Sequence, residues 1–311
     1  MERLVSVSVL SYKRQDALAR VLESLLQQNY PALEIIVVDN ASGAELTSFV
    51  RDRFPQVRLI ELPENLGTAA RNVGMATARG EIVVMLDNDV YLDSPFEIQH
   101  IVRAFERRPK AACAVFRVYH PATGRLHARD WCHPRPWQQA EDQEFETYFI
   151  TEGAAAFRRS LFDQVEPYWP ELFIAHEGYD LALRLLDAGY EVWYIPQVKV
   201  WHMASLETRE NWRPFYFNTR NLLLVVYRNY PFWAGLAHAL PRLAVLGLYA
   251  LRYGSFGKYL AGIAGGLRRL RAARPLRRPV RPETLRKLAR LRAAVPGPVT
   301  RFLRHWRKHE F

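Results

Sequence analysis

The chain has few cysteines and no long apolar run. The first shortage argues against a disulfide-rich secreted protein, and the second argues against a membrane-spanning one. Only Cys113 and Cys132 occur in 311 residues. Two isolated thiols form no disulfide framework and are more typical of a reducing compartment than of a secreted protein. The longest uninterrupted run of the apolar stretch, residues 243–251, is far shorter than the roughly 20 residues that span a bilayer. The first ten residues alternate like a strand and do not form a signal peptide. We therefore expect a cytoplasmic protein.

The positive charge of the chain is concentrated at one end. The net charge is +11, yet residues 268–311 alone carry 15 lysines and arginines against two acids. The remaining residues are therefore slightly acidic, so no nucleic-acid partner is expected for them. We predict three segments: a main domain over 1–230, an apolar amphipathic helical segment over 231–267 and a basic helical tail over 268–311.

The apolar segment is interrupted by polar residues and a proline. His238, Pro241 and Arg242 divide it, which favours a helix that lies on a membrane surface beside the basic tail over one that spans the bilayer. The sequence therefore indicates peripheral contact with the inner face of the cell membrane. The alternative is that these helices pack on the domain, with their basic side chains in solvent.

The first part of the chain alternates between strand-like and helix-like blocks. Strands are predicted over 5–10, 34–38, 57–62 and 82–86, and helices over 16–28, 44–53 and 68–79. Such alternation indicates an α/β fold with a mostly parallel sheet, covered by helices on both faces. Further along, strands are predicted over 147–157 and 191–195, the latter stopped by Pro196, and helices over 179–188 and 209–228. Residues 119–146 are predicted to form a long loop that lines a site.

Polar side chains follow three of the predicted strands. They are Ser11-Tyr12, Asp39-Asn40 and Asp87-Asn88-Asp89. In parallel α/β sheets, ligands bind in the crevice at the carboxyl ends of the strands. We therefore expect these three groups to line one ligand site.

The acidic group Asp87-Asn88-Asp89 comes directly after an apolar strand. Two carboxylates in that position are suited to a hard divalent cation, with phosphate and water as its further ligands. Such a cation would neutralise charge on a diphosphate leaving group. The alternative is an acidic turn that caps a helix starting at 93–95.

Three further motifs contain candidate site residues. Asn65 precedes Gly67, which opens a helix whose free amides can face an anion. Arg71 in the same motif offers a forked donor, and an ordinary helix start is the alternative.

Glu177 and Asp180 lie three residues apart at another helix start, where one can be a general base. The alternative is capping of that helix by the acids, together with a surface ion pair between Asp180 and Arg184. His202 follows a strand and could complete a metal site, although a lone histidine is more often structural.

Taken in order, these motifs resemble the nucleotide-diphospho-sugar transferase domain of family 2 glycosyltransferases, which has the GT-A fold. The resemblance covers roughly residues 3–230 and includes 152–159 and the stretch 216–221, which is similar to the rhamnosyltransferase-like branch. It implies an inverting, metal-dependent, hexosyltransferase-type enzyme that transfers a sugar from a nucleotide-diphosphate donor to a hydroxyl. The acceptor implied by membrane contact is a lipid-linked or cell-envelope glycan.

The resemblance also implies a role for each candidate residue. Ser11, Tyr12 and Asp39 would hold the base and ribose, with Arg71 beside the base. Asp87 would contact the ribose and metal waters, and Asp89 would ligate Mg²⁺ or Mn²⁺, with His202 closing the site. Asn65 and Asn88 are further nucleotide-sugar-binding candidates. Glu177 would be the base, with Asp180 as the second candidate.

One departure from the family pattern concerns the base. Many relatives have adjacent Glu-Asp at this position, whereas Gly178 follows Glu177 here.

Two alternative functions remain. A sugar-1-phosphate nucleotidyltransferase would need a glycine-rich basic loop after the first strand, and residues 11–16 contain no glycine. A non-catalytic binder of anionic surfaces or nucleic acid would act through the basic tail.

Overall fold

The computed structural model describes residues 2–126, 131–203, 212–294 and 297–300. Its strands are β1 (Val5–Ser11), β2 (Leu33–Asp39), β3 (Arg58–Glu61), β4 (Ile82–Asp87), β5 (Val90–Leu92), β6 (Ala111–His120), β7 (Arg125–Leu126), β8 (Phe145–Thr147), β9 (Ala154–Arg158) and β10 (Glu191–His202). Its α-helices are α1 (Gln15–Leu26), α2 (Ala44–Arg53), α3 (Ala70–Thr77), α4 (Glu97–Arg107), α5 (Trp137–Ala140), α6 (Glu177–Asp187), α7 (Arg213–Asn229), α8 (Phe232–Arg252), α9 (Phe256–Ala273) and α10 (Pro282–Arg292).

The strands form one sheet in the order β3-β2-β1-β4-β9-β6-β10-β5, with β7 beside β6 and β8 beside β10. The first four strands are parallel, as the alternation of strands and helices predicted. Beyond them the sheet is mixed, because β9 runs antiparallel to both β4 and β6. The parallel half places the carboxyl ends of β1, β2 and β4 side by side.

The alternation of residue types along β1 determines how the two faces of the sheet are covered. Val5, Val7 and Val9 are fully buried in one core cluster. Ser8 points to the other face, where a Cβ on Gly74 of α3 would lie only 2.0 Å from its Oγ. A small residue on the strand and a glycine on the helix therefore let α3 approach the sheet closely.

Two strand predictions were wrong in their extent. The segment 147–157 is divided between β8 and β9, because a turn in which the Ala154 amide donates to the Thr151 carbonyl separates them. The predicted stop at Pro196 does not occur, since β10 continues to His202. Its pairing with β6 is irregular between Ile195 and Lys199, so the missing proline N–H removes no ladder hydrogen bond.

The helix predictions located helical segments correctly but did not distinguish an α-helix from a 3₁₀ turn. The prediction over 44–53 coincides with α2, whereas the one over 68–79 combines a 3₁₀ turn, Gly67–Ala69, with the shorter α3. β5 and β6 were not predicted. A helix starting at 93–95 was expected only in the alternative for the acidic motif; α4 begins at Glu97, and β5 lies between it and the motif. The predicted loop over 119–146 includes the end of β6, β7, α5 and the start of β8. The start of the helix predicted over 209–228 and the end of the basic tail lie outside the described residues.

The chain divides into two compact units. The first consists of Met1–Phe173 and Glu177–Ser205, and the second of Ile174–His176 and Leu206–Phe311. Within the second unit, buried Asn221 of α7 donates to the carbonyls of Ile174 and Ala175 at 2.7 and 2.8 Å. These units are defined by contacts within the fold. The three segments that we predicted from composition, 1–230, 231–267 and 268–311, stay a prediction.

Among the described residues, one helix is long and apolar enough to cross a membrane when judged by length and composition alone. This helix is α8, and 28% of its most apolar stretch is buried. It continues through Pro241, one of the residues that we expected to interrupt the apolar segment.

Candidate active site

The acidic motif lies at the carboxyl end of β4, in the interior of the sheet. Asp87 ends the strand, and its carboxylate forms an ion pair with the buried guanidinium of Arg71 from α3. Asn88 is buried and donates from Nδ2 to the carbonyl of Lys13, 2.8 Å away. Its backbone amide donates to the carbonyl of Leu10. The motif is therefore tied to the loop that follows β1.

Asp89 lies between a guanidinium and an imidazole. Its Oδ2 accepts from Nη1 of Arg14 at 2.6 Å, and its Oδ1 lies 3.7 Å from Nε2 of His202 at the end of β10. The carbonyl of Asp89 accepts from the amide of Met203, which holds the end of β10 beside the motif. The two predicted metal ligands are thus neighbours.

The ends of β1 and β2 supply a second group of polar side chains. Ser11 and Asp39 are buried, whereas Tyr12 is 42% exposed. Oδ2 of Asp39 accepts from the amide of Ser42 at 3.0 Å. Its Oδ1 is buried and has no hydrogen-bond partner among the residues that the structure describes. Asp39 therefore offers an acceptor to a ligand in the crevice.

Two asparagines connect this group to the turn before α3. Nδ2 of Asn40 donates to Oδ1 of Asn65 at 3.0 Å and to the carbonyl of Gly67 at 3.1 Å. Oδ1 of Asn40 accepts from the amide of Leu66 at 2.8 Å. Asn65 thus lies beside the end of β2, and its carboxamide shapes the turn.

The two predicted base candidates differ in the hydrogen bonds that their carboxylates accept. Glu177 is the first residue of α6 and is 4% exposed, and its Oε2 has no hydrogen-bond partner among the described residues. Asp180 is fully buried, and its Oδ2 accepts from Nε and Nη2 of Arg184 at 3.0 and 2.8 Å. Arg184 in turn donates to the carbonyl of Pro167. Of the two, Glu177 has the more available carboxylate.

A third acid at this position was not among the predicted site residues. Glu152 lies in the turn before β9, and its Oε1 accepts from the amide of Gly178 at 2.6 Å. The segment that contains it was noted only as part of the family resemblance. The one signal in the sequence is an acid directly before Gly153 and a run of small residues. That signal points to the site only once β9 is known to pair with β4, because this pairing brings the turn before β9 to the acidic end of β4.

The acids near α6 hold a proton at neutral pH. Burial, together with the charge of Glu152, raises the pKa of Glu177 from 4.5 to about 8. Burial also raises the pKa of Glu152, against the opposing effects of Arg71 and the Gly178 amide. Burial alone would lower the pKa of Arg71, but the nearby carboxylates, Asp87 first, raise it. Arg71 therefore stays charged among acids that do not all ionise together.

A comparison with protein families matches this chain to Glycosyl transferase family 2 over residues 6–166, just over half of its length. A curated relative is the O-antigen chain rhamnosyltransferase RfbN of Salmonella typhimurium. It is 25% identical over 224 residues, which are 69% of this chain and 71% of the relative.

Two solved structures have a similar fold. The crystal structure of GalNAc-T7 with UDP, GalNAc and Mn²⁺ has a TM-score of 0.60 and 16% identity, over 84% of this chain and 56% of that one. The chain thus spans just over half of that structure. The mannosyltransferase PcManGT from Pyrobaculum calidifontis, in complex with GDP-Man and Mn²⁺, has a TM-score of 0.57 and 20% identity, over 97% of this chain and 88% of that one. The predicted GT-A fold, with additional C-terminal helices, is confirmed.

Proposed function

Because the chain belongs to glycosyl transferase family 2, we propose that it transfers a hexose from a nucleoside diphosphate to an acceptor hydroxyl, with inversion at the anomeric carbon. The similarity to an O-antigen chain rhamnosyltransferase supports rhamnose as the sugar and a lipid-linked or cell-envelope glycan as the acceptor. The observation that carries the proposal is the group of acids at the end of β4, with Asp89 beside His202. The family match favours a transferase over the two alternatives considered from the sequence.

The donor nucleotide binds at the carboxyl ends of β1, β2 and β4. The unpartnered Oδ1 of Asp39 accepts from the base or the ribose, with Ser11 and the exposed ring of Tyr12 beside it. Asn65 and Asn88 hold the loops that enclose this crevice. Arg71 lies beside the base and Asp87 beside the ribose and the metal-bound water, and the two side chains form an ion pair.

Asp89 and His202 fit a divalent metal ion. A carboxylate oxygen and an imidazole nitrogen 3.7 Å apart suit Mn²⁺ or Mg²⁺. Across residues 2–126, 131–203, 212–294 and 297–300, no cluster of three His, Cys, Asp or Glu side chains could hold a metal ion, so diphosphate oxygens and water would have to supply further ligands. When bound, the ion offsets negative charge on the leaving diphosphate. Arg14, which contacts Asp89 at 2.6 Å, balances the charge of the same carboxylate.

A carboxylate near the start of α6 accepts the proton of the attacking hydroxyl. Glu177 is the candidate predicted from the sequence, and its Oε2 has no hydrogen-bond partner within the described chain. Asp180 is the weaker candidate, because Arg184 holds its carboxylate through two hydrogen bonds. The buried surroundings keep water away from the reacting hydroxyl.

A donor screen tests this function. The purified chain is incubated with UDP-, GDP- and dTDP-linked sugars, rhamnose among them, and release of the nucleoside diphosphate is measured with Mn²⁺ and with EDTA. We expect release from at least one donor that stops with EDTA. Asp89→Asn should lose this activity, whereas Asp52→Asn, the same change at an exposed position on α2, should keep it. A chain inactive on every donor would refute the proposal.

Peripheral contact with the inner face of the cell membrane is a further part of the proposal. On α8, Trp233, Leu240, Leu248 and Leu251 are 78%, 59%, 44% and 57% exposed. At about 100° per residue they lie on one stripe of the helix, which is typical of a helix at a membrane surface. The opposite side is polar in part, since His238 is buried there.

Vesicle flotation tests this contact. We expect the protein to float with vesicles that contain phosphatidylglycerol and less with pure phosphatidylcholine, because the segment after α8 is basic. Replacing Trp233 and Leu240 with serine should abolish flotation. Phe96→Ser, an exposed aromatic far along the chain from α8, is the matched control. If the wild type stays at the bottom of the gradient at low salt, the membrane proposal is wrong.

A further inference from the structure

The second position of α6 has no room for a side chain, because another acid fills that space. A Cβ on Gly178 would lie 2.3 Å from Oε1 of Glu152 and 2.5 Å from the carbonyl of Ile150. The amide of Gly178 instead donates to Oε1 of Glu152 at 2.6 Å. The carboxylate of Glu152 therefore lies directly against the N-terminus of α6, beside Glu177.

The turn that contains Glu152 is fixed against the end of β4. A Cβ on the following residue, Gly153, would lie 2.4 Å from Oδ2 of Asp87. The Asp87 amide donates to the Gly153 carbonyl at 3.2 Å. Glu152 is thus held between the acidic strand end and the start of α6, with a hydrogen bond to its own side chain on one side and to the neighbouring backbone on the other.

The two glutamates differ in their access and in what stabilises their charge. Glu152 is only partly buried, whereas Glu177 is 4% exposed. Glu152 accepts a hydrogen bond from a helix N-terminal amide, which favours a negative charge. Glu177 begins the same helix, but its Oε2 has no hydrogen-bond partner among the described residues. The geometry therefore favours ionised Glu152 and protonated Glu177.

The surrounding titratable groups agree with this distribution of charge. Arg71 from α3 and Asp87 from β4 form an ion pair that is close to neutral as a unit. The hydroxyl of Tyr168 and the thiol of Cys113 also face Glu152, and burial raises the pKa of both well above its ordinary value, so both are neutral. One proton is then shared between Glu152 and Glu177 at neutral pH.

We propose that Glu152 is the general base of the transfer and that Glu177 is its protonated partner. This inference rests on the proposed function. The O–H bond of the acceptor breaks as its proton moves to a carboxylate oxygen of Glu152. The acceptor oxygen forms the new bond to the anomeric carbon, and the bond from that carbon to the phosphate oxygen breaks with its electron pair on the nucleoside diphosphate. Protonated Glu177 keeps a second negative charge away from the reacting atoms.

Substitution by glutamine distinguishes the two glutamates, because glutamine imitates a protonated carboxyl group in size and hydrogen bonding. In Glu152→Gln the side-chain oxygen can still accept from the Gly178 amide, so the loop should stay in place. We expect kcat to fall by about 10²- to 10⁴-fold, with the donor KM nearly unchanged. We expect Glu177→Gln to lower kcat at pH 7 less than Glu152→Gln does, because it imitates the form that is already present. Glu45→Gln, the same change at an exposed position of α2, should keep the kcat of the wild type. Thermal unfolding of both variants verifies that they fold.

The pH profile provides a readout that a purely structural role would not change. The wild type should lose activity above about pH 8, where Glu177 ionises. Glu177→Gln should lose this alkaline limb and keep the acid limb, which belongs to Glu152 and lies above the ordinary glutamate value. The reverse order of kcat loss, an equal loss in both variants, or an unchanged alkaline limb in Glu177→Gln would overturn the assignment. A wild type that releases no nucleoside diphosphate from any UDP-, GDP- or dTDP-linked sugar would instead refute the proposed function.

Discussion

Replacing Glu177 with glutamine should stabilise the protein at alkaline pH and have little effect at about pH 4. Burial raises the pKa of this carboxyl from 4.5 to about 8 in the folded protein. Between these values the unfolded chain ionises while the folded chain stays protonated, so the wild type loses stability as pH rises. At 1.36 kcal/mol for each pH unit, the loss reaches about 5 kcal/mol above pH 8. Glutamine does not titrate and avoids this loss.

Thermal unfolding at a series of pH values measures the effect. For a chain of this size, about 5 kcal/mol corresponds to a rise in Tm of roughly 10 °C. The difference between Glu177→Gln and the wild type should be near zero at about pH 4 and should grow to that size by about pH 9. Glu45→Gln, at an exposed position of α2, is the control and should show no such growth. Equal Tm values at about pH 9 would refute the claim that burial holds this proton.

Three further predictions concern the framework of the site. Gly74→Ala should lower the free energy of unfolding by about 1–3 kcal/mol in urea denaturation, because its methyl would collide with Ser8; an unchanged midpoint would contradict the close approach of α3. Arg71→Met should cost about 1–3 kcal/mol by leaving the half-buried carboxylate of Asp87 without its countercharge, and a variant as stable as the wild type in the same assay would contradict this. Asn221→Ala should speed hydrogen exchange in the loop 174–176 and lower Tm by several degrees, since two carbonyls lose their donor; unaltered exchange would show that the contacts are not needed.

Much of the parallel half of the fold could be predicted from local pattern. β1 alternates apolar residues with serine, β2 and β4 are short, mostly apolar runs that end in aspartate, and α2 was predicted with its observed bounds. In a parallel sheet the polar ends must meet at one edge, so the proximity of Asp39 and the acids of β4 to the same crevice followed from topology.

The mixed half of the sheet was predicted less completely. Strands were predicted over 147–157 and 191–195, but their bounds were wrong, and β6 was not predicted. β9 consists of three alanines, a phenylalanine and an arginine, and β10 contains Pro196. Where these strands begin and end depends on pairing with strands that are distant in sequence, which local propensity does not encode. The same pairing positions Glu152, so the acid that we assign as the base had no clear local signal.

Individual contacts also bear on two points that the sequence left open, the choice between Glu177 and Asp180 and the reason for Gly178. The alternative for the start of α6 included a surface pair between Asp180 and Arg184. The structure has this ion pair, but Asp180 is fully buried, and Oε2 of Glu177 has no hydrogen-bond partner among the described residues. The departure at Gly178 has a steric cause in Glu152, which lies 26 residues earlier. The assignments of the nucleotide-binding and metal-binding residues stay predictions that binding experiments must test.

Calorimetry of nucleoside diphosphate binding tests the central claim most directly. UDP, GDP and dTDP are titrated into the wild type, Asp89→Asn and Asp52→Asn, with Mn²⁺ and with EDTA. The account predicts that at least one nucleotide binds the wild type and Asp52→Asn in the presence of Mn²⁺, and that EDTA or Asp89→Asn weakens binding by at least about 10-fold. Equal affinity for Asp89→Asn and the wild type, with or without Mn²⁺, would contradict a metal-assisted diphosphate site at the end of β4.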